Sequence, residues 1–409
     1  MNFISKYSFI VYIVLWMIYN LQIMFMIRGI ITQVVFVVLM VMSFYFFFKV
    51  NMYYRTGYYI KWLNMMLVVL SIYGIIPIIG GWTYTGSTDH GSWVSYIFLQ
   101  NIFISILPIY SFYYFSLTKK ILTDNLNYIF IAFLLFSILM YYQNFYSVSL
   151  ESGKEEITNN AGYFFVPLIP MLQLLKMKDF WKYFFLTIIF GYMLMAMKRG
   201  AILAGGVMIL LFMIHHFRTA SWKKLLYVVS LTGIVLWGVY YFAFNLYVGS
   251  DYFQERVKQT MSGDPSGRDA MYSYYFSYFM EKTSALEWFI GNGANATWVL
   301  FGNYAHNDWL EFAIDLGVLG LMIYLVYWLV FLWEWKTFTG DLSCKQTLGD
   351  LMIAYFLIGL YSMSFNDMPT SASLCIGFCL ANKMQAQSHL RCVLRKKMHE
   401  SSQINLHLI

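Results

Sequence analysis

What most limits the fold of this chain is a succession of apolar stretches, each close to the ~20 residues that an α-helix needs to cross roughly 30 Å of hydrocarbon. About twelve can be read, near residues 8–27, 29–48, 61–80, 94–115, 121–143, 161–176, 180–198, 200–217, 223–245, 308–333, 347–366 and 368–386. In lipid the backbone must satisfy its own hydrogen bonds, so each stretch is expected to be a helix. The sixth is short, and Pro167 and Pro170 predict a kink or break there. Composition points the same way: 60% of positions are hydrophobic and only 11% charged, where a soluble domain carries about 25% charged residues. A soluble enzyme, a disordered chain, a coiled coil and a secreted disulfide scaffold are thereby excluded. The cysteines, at 344, 375, 379 and 392, form no C-x-x-C pair, and no metal or other cofactor is expected. Lys6 precedes the first apolar run and no small-residue cleavage site follows it, so the reading is a retained first helix.

Lysine and arginine set the expected orientation. With the N-terminus in the cytoplasm, twelve spans put 19 of the 27 basic residues inside, and both termini with them. The net charge of +7 then reflects cytoplasmic loops and a basic tail, 387–409, lying against anionic lipid, and no nucleic-acid partner is needed. The chain reads as one polytopic domain, 1–409, without a tandem repeat. One long outer loop, 246–307, exceeds ordinary connections, and its aromatic content argues against disorder.

Several residues break the pattern. Lys198-Arg199 sits in a tight outer turn between apolar helices, where an arginine costs roughly 2.5–3.5 kcal/mol to insert. It could snorkel to lipid phosphates. It could equally hold a ligand, because Gly200 opens the backbone and the next helix begins there with its N–H groups free. Arg268 follows a turn, Asp264 to Gly267, and opens a tyrosine-rich helical stretch. A solvated pair with Asp264 or Asp269 would explain it as well. His306 stands where the long loop re-enters the membrane, with Asn307 or Asp308 as a natural N-cap. Asp308, Glu311 and Asp315 share a helix face, and Asp308 and Glu311 are expected to line a water-filled cleft. Cys375 and Cys379 share a face too and read as buried small residues. No D-x-D pair, P-loop, G-x-S-x-G elbow or H-E-x-x-H is present.

Two arginines, two helix N-termini and one histidine on a single face suit a pyrophosphate. A histidine beside it could orient or deprotonate a hydroxyl. The pyrophosphate is already a good leaving group, so the main requirement is to stabilise its growing negative charge. Group transfer from a membrane-held pyrophosphate donor is therefore expected, with aromatic faces of the long loop against sugar rings. A transporter or lipid-glycan flippase is the rival from another class, and would place its charges near the midplane.

RGAILA at 199–204, SGR at 266–268 and HNDWLEFAIDLGVLGL at 306–321 resemble the three signature blocks of the O-antigen ligase/polymerase superfamily. NNAGYFFVPLIP at 159–170 is similar to that family's Asn-rich approach to a mid-chain helix. The resemblance spans roughly 155–335, and its last block is the most specific. The chain departs from the pattern at Asp315, where Glu is frequent, and at Tyr272 and Tyr274, near which Trp is frequent. The resemblance implies an all-α, C-type glycosyltransferase of the bacterial inner membrane, acting at the periplasmic face without metal and with inversion at the sugar carbon. The donor would be a glycan on undecaprenyl pyrophosphate. The acceptor would be the next repeat unit for a polymerase of O-antigen, capsule or exopolysaccharide, or lipid A-core for a ligase, and a chain-length regulator could be a partner. By motif, Arg199 and Arg268 would bind the pyrophosphate and His306 would position or activate the acceptor hydroxyl. Lys198, Gly200, Asn159, Asn160, Ser266, Asn307, Asp308 and Glu311 would line the substrate site.

Overall fold

A computed structural model describes residues 3–25, 29–80, 91–152, 159–219, 222–261, 268–281, 284–365 and 368–406. Among them the chain is helical throughout, without strands. The helices in order are α1 (Phe3–Met24), α2 (Ile30–Tyr53), α3 (Tyr58–Gly80), α4 (Gly91–Leu117), α5 (Leu126–Ser152), α6 (Gly162–Phe165), α7 (Leu168–Leu174), α8 (Asp179–Met195), α9 (Arg199–Thr219), α10 (Trp222–Gly249), α11 (Asp251–Met261), α12 (Arg268–Glu281), α13 (Ala285–Ile290), α14 (Ala296–Phe301), α15 (Asp308–Lys336), α16 (Leu342–Tyr361) and α17 (Thr370–Leu406).

The described residues of the twelve apolar stretches fall largely on helices, and the sixth is divided between α6 and α7 at Val166-Pro167, as its prolines predict. Among the described residues, six helices are both long and apolar enough to cross a bilayer: α2, α3, α4, α5, α9 and α15. The apolar parts of α1 and of α6–α7 are shorter, and α8 has only 17 residues. The face of α2 shows what surrounds the bundle. Ile30, Val34, Val37, Val41, Phe48 and Met52 recur at helical spacing and are exposed, while Leu39, Ser43, Phe46 and Val50 of the other face are buried. A continuous exposed apolar stripe of this length is stable in lipid and not in water. The protein is an all-helical, membrane-embedded one.

α4 forms the centre, packed against α2, α3 and α17. Around α7 gather α5, α8, α9 and α16. α15 joins the two groups: it packs on α3 and α16 along its length and on α12, α13 and α14 near its start. The described part of 246–307, expected as a loop, is mostly helix, with α11, α12, α13 and α14 in succession.

α15 is not one straight helix. Gly317 has φ 65° and ψ −161°, which breaks it near its beginning. The break leaves carbonyls without their helical donors, and the 291–293 segment supplies replacements. Asn292 N–H donates to the Ile314 carbonyl (2.9 Å) and Gly293 N–H to that of Asp315 (2.8 Å). A Cβ on Gly317 would stand 2.6 Å from the Phe289 carbonyl oxygen, so only glycine lets the two backbones meet. Irregular backbone in such a chain is tolerated where protein covers it, as here.

Candidate functional site

The turn between α8 and α9 is built before its charges are placed. Met197 takes a left-handed conformation, φ 51°, and turns the chain. Asn159, fully buried, locks a second turn against it. Its N–H donates to the Ala196 carbonyl (2.8 Å), its side-chain amide to the Tyr141 carbonyl (2.8 Å), and its side-chain oxygen accepts from Ala161 N–H (2.9 Å). Asn159 thus holds the scaffold, whereas Asn160 beside it is exposed. Tyr163 then lies under the turn, with the Lys198 ammonium 5.9 Å from its ring centre. Gly200 is needed for this packing, because a Cβ there would collide with the Tyr163 hydroxyl. The space at Gly200 is filled by Tyr163, where the sequence suggested room for a ligand.

Arg199 opens α9, and its guanidinium donates to the Gln259 side-chain oxygen on α11 (3.1 Å). The Gln259 amide in turn donates to Glu255 one turn earlier (3.1 Å). Arg268 opens α12, and its guanidinium donates to the Tyr361 carbonyl at the end of α16 (2.6 Å). That contact is a different one from the pair with Asp264 or Asp269 that the sequence left as an alternative. Asp264 and Ser266 lie outside the described residues. One turn along α12, the Tyr272 hydroxyl donates to the His306 carbonyl (3.1 Å).

His306 takes φ 50°, a left-handed conformation that is uncommon for a residue with a side chain. The next residue fixes it. Asn307 is the N-cap of α15, its side-chain oxygen accepting from the N–H groups of Trp309 (2.9 Å) and Leu310 (3.2 Å), and its amide donates to the Leu360 carbonyl (3.2 Å). Arg268 and Asn307 therefore grip consecutive carbonyls, Tyr361 and Leu360, at the open end of α16. Helix ends leave such carbonyls without intrahelical donors, and these two side chains supply them.

The acidic face of α15 does not line a water-filled cleft. Asp308 is buried and accepts from the Tyr324 hydroxyl (2.9 Å), Ser364 N–H (3.1 Å) and the Ser364 hydroxyl (2.5 Å). Glu311, also buried, accepts from Ala305 N–H (2.5 Å). Asp315 accepts from the N–H (2.8 Å) and hydroxyl (2.7 Å) of Thr297, and so caps the start of α14 from outside. A cavity of only about 20 Å³ adjoins Glu311 and Asp315, room for about one water. Charges removed from water demand donors, and the three carboxylates find them on neighbouring segments. Their work is to shape the backbone that presents His306.

Lys198, Arg268 and His306 come from distant parts of the chain and meet electrostatically. The half-buried His306 ring has its pKa lowered from the ordinary 6.5, first by desolvation, then by the positive charges of Arg268 and Lys198. The imidazole is accordingly neutral at pH 7 and can accept a proton, while the cations beside it offer an anion its counter-charge. Arg199, next in the chain, is not among the charges that act on His306; its guanidinium is turned to Gln259 of α11. Sequence reasoning missed Tyr272, Tyr163, Gln259 and the two α16 carbonyls. Tyr272 had a signal, four residues after Arg268 on one helix face; the carbonyls had none.

Compared with family models and with curated proteins, the chain matches none.

Proposed function

We propose that the protein is a membrane glycosyltransferase that moves an undecaprenyl-pyrophosphate-linked glycan onto a sugar hydroxyl. One observation supports this more than any other: the charges of Lys198, in the α8–α9 turn, and of Arg268, at the start of α12, both bear on the His306 imidazole two residues ahead of α15 and oppose its protonation. In the proposed reaction the acceptor oxygen bonds to the anomeric carbon as the bond from that carbon to the pyrophosphate oxygen breaks. Polyprenyl pyrophosphate leaves, held by Arg199 and Arg268, and the hydroxyl proton passes to His306. Inversion at the sugar carbon follows from a single displacement. The resemblance of 199–204, 266–268 and 306–321 to the O-antigen ligase/polymerase superfamily supports the same reading.

On this proposal the chain crosses a bacterial inner membrane about twelve times, with both termini cytoplasmic and the site periplasmic, as the charge distribution suggests. The acceptor is the next lipid-linked repeat unit, which makes the protein a polymerase of envelope polysaccharide, with a chain-length regulator as a natural partner. The test is transfer by purified protein in lipid, using a lipid-linked repeat unit as donor and acceptor. Arg268→Ala and His306→Ala should each slow transfer by about 10²–10³-fold. Normal transfer by both variants overturns the site. In cells, loss of the gene should leave single repeat units on the lipid core, whereas a core with no glycan at all would assign the protein as a ligase.

A further inference from the structure

At the other end of the bundle lies a cavity of about 550 Å³, between the α2–α3 turn, the end of α4 and the middle of α17. Its position follows from α15, which begins two residues after His306 and carries Glu334 near its far end. There Tyr59 N–H, just after the α2–α3 turn, donates to the Glu334 carboxylate (3.5 Å). Tyr54, Arg55, Leu117, Ser388, Arg391 and Cys392 line the cavity, and no lining residue is acidic. Two arginines thus line one space, with hydroxyl-bearing residues and apolar surface beside them. The volume is that of an ordinary small-molecule site.

The walls are fixed. The Tyr113 hydroxyl donates to the Arg55 carbonyl (3.0 Å). The Gln385 amide of α17 donates to the Ser116 carbonyl of α4 (3.1 Å). The last carbonyls of α4 would repel an anion, but backbone N–H groups occupy those of Tyr114 (Thr118, 3.0 Å), Ser116 (Lys119, 3.1 Å) and Phe115 (Lys120, 2.8 Å), and the Gln385 amide reaches that of Leu117 (3.5 Å). Two arginines on a polar and partly apolar wall suit a phosphate oxygen cluster joined to a less polar group.

We propose that this cavity binds a phosphate-bearing ligand between Arg55 and Arg391, either the headgroup of an anionic phospholipid or a soluble phosphate ester. The proposal does not depend on the reading of the His306 end and its test involves no transfer activity.

Cys392 supplies the probe, because it is exposed in the cavity wall while Cys344, Cys375 and Cys379 are buried. The full chain is placed in nanodiscs of phosphatidylcholine, or of phosphatidylcholine with phosphatidylglycerol, and the rate of N-ethylmaleimide labelling is measured. Inorganic phosphate is then added to the phosphatidylcholine discs. Occupancy should slow labelling roughly tenfold when the ligand stands near ten times its Kd. Slowing by phosphatidylglycerol alone assigns a lipid headgroup; slowing by inorganic phosphate as well assigns a soluble source. The Arg55→Gln/Arg391→Gln variant should label at one fast rate throughout, with its buried cysteines unlabelled as the check on folding. Equal wild-type rates in all conditions, or protection that persists in the double variant, overturn the proposal.

Discussion

His306 gathers three influences that act in the same direction: burial, the Arg268 charge and the Lys198 charge all oppose its protonation. Removing one should therefore move its pKa back up toward 6.5. In Arg268→Gln the NMR titration of the His306 ring should shift to higher pH, whereas Arg268→Lys, which keeps the charge, should stay near wild type. On the proposed function the acid limb of transfer should move with it, since protonation would remove the proposed base. Stability carries the same sign. The unfolded chain takes up this proton near pH 6.5 and the folded chain only at lower pH, so stability falls as the pH drops from 6.5 through the folded value, and above 6.5 the histidine contributes nothing. An unchanged titration in Arg268→Gln would separate the two residues. Some of this site could be read locally. Asn307 caps α15 and Arg268 opens α12, as neighbouring residues alone suggest. Asp308 was misread as facing water because its partner Ser364 lies 56 positions away, beyond the reach of any local pattern.

Among the elements, α15 diverges most from its sequence. Residues 308–333 read as one helix because the apolar pattern is unbroken, yet Gly317 interrupts it. A glycine inside a helical pattern is the available signal, and it does not distinguish a break from close packing. The cost of losing it can be stated. Gly317→Ala must adopt a strained φ and meet the Phe289 carbonyl, so it should destabilise by at least ~1–3 kcal/mol. A lowered thermal unfolding midpoint in detergent would register this, and an unchanged one would contradict the described break. Asp315→Ala tests the adjoining contact. It strands the N–H and hydroxyl of Thr297, both buried, at about 1–3 kcal/mol each. The effect should be confined, with faster hydrogen exchange over 290–301 and little change in α4. The broken sixth segment, by contrast, was legible, because proline acts through its own ring and missing N–H.

Across the whole molecule, apolar segments are legible because lipid imposes one rule on all of them; how they are tied together is not. One such tie is internal. Lys383 of α17 and Glu334 of α15 form an ion pair at 3.0 Å with side chains only 4% and 2% exposed, and Lys383 also donates to the Glu334 carbonyl and the Thr337 hydroxyl. Lys383→Met should destabilise by about 3–5 kcal/mol, because it leaves a carboxylate buried and unmatched. Adding Glu334→Leu should recover much of that loss, and failure of the double variant to recover would show that the lysine's other two contacts dominate. The clasp at the break in α15 has a different character. It joins Asn292 to Ile314, 22 positions apart, whereas Asn307 reaches Leu360 across 53 and Arg268 reaches Tyr361 across 93. During synthesis the clasp can close while α16 is still inside the ribosome, but the histidine's surroundings cannot be completed until α16 has emerged. A nascent chain halted at residue 361, with α16 still in the tunnel, would carry the clasp already closed and the surroundings of His306 still open.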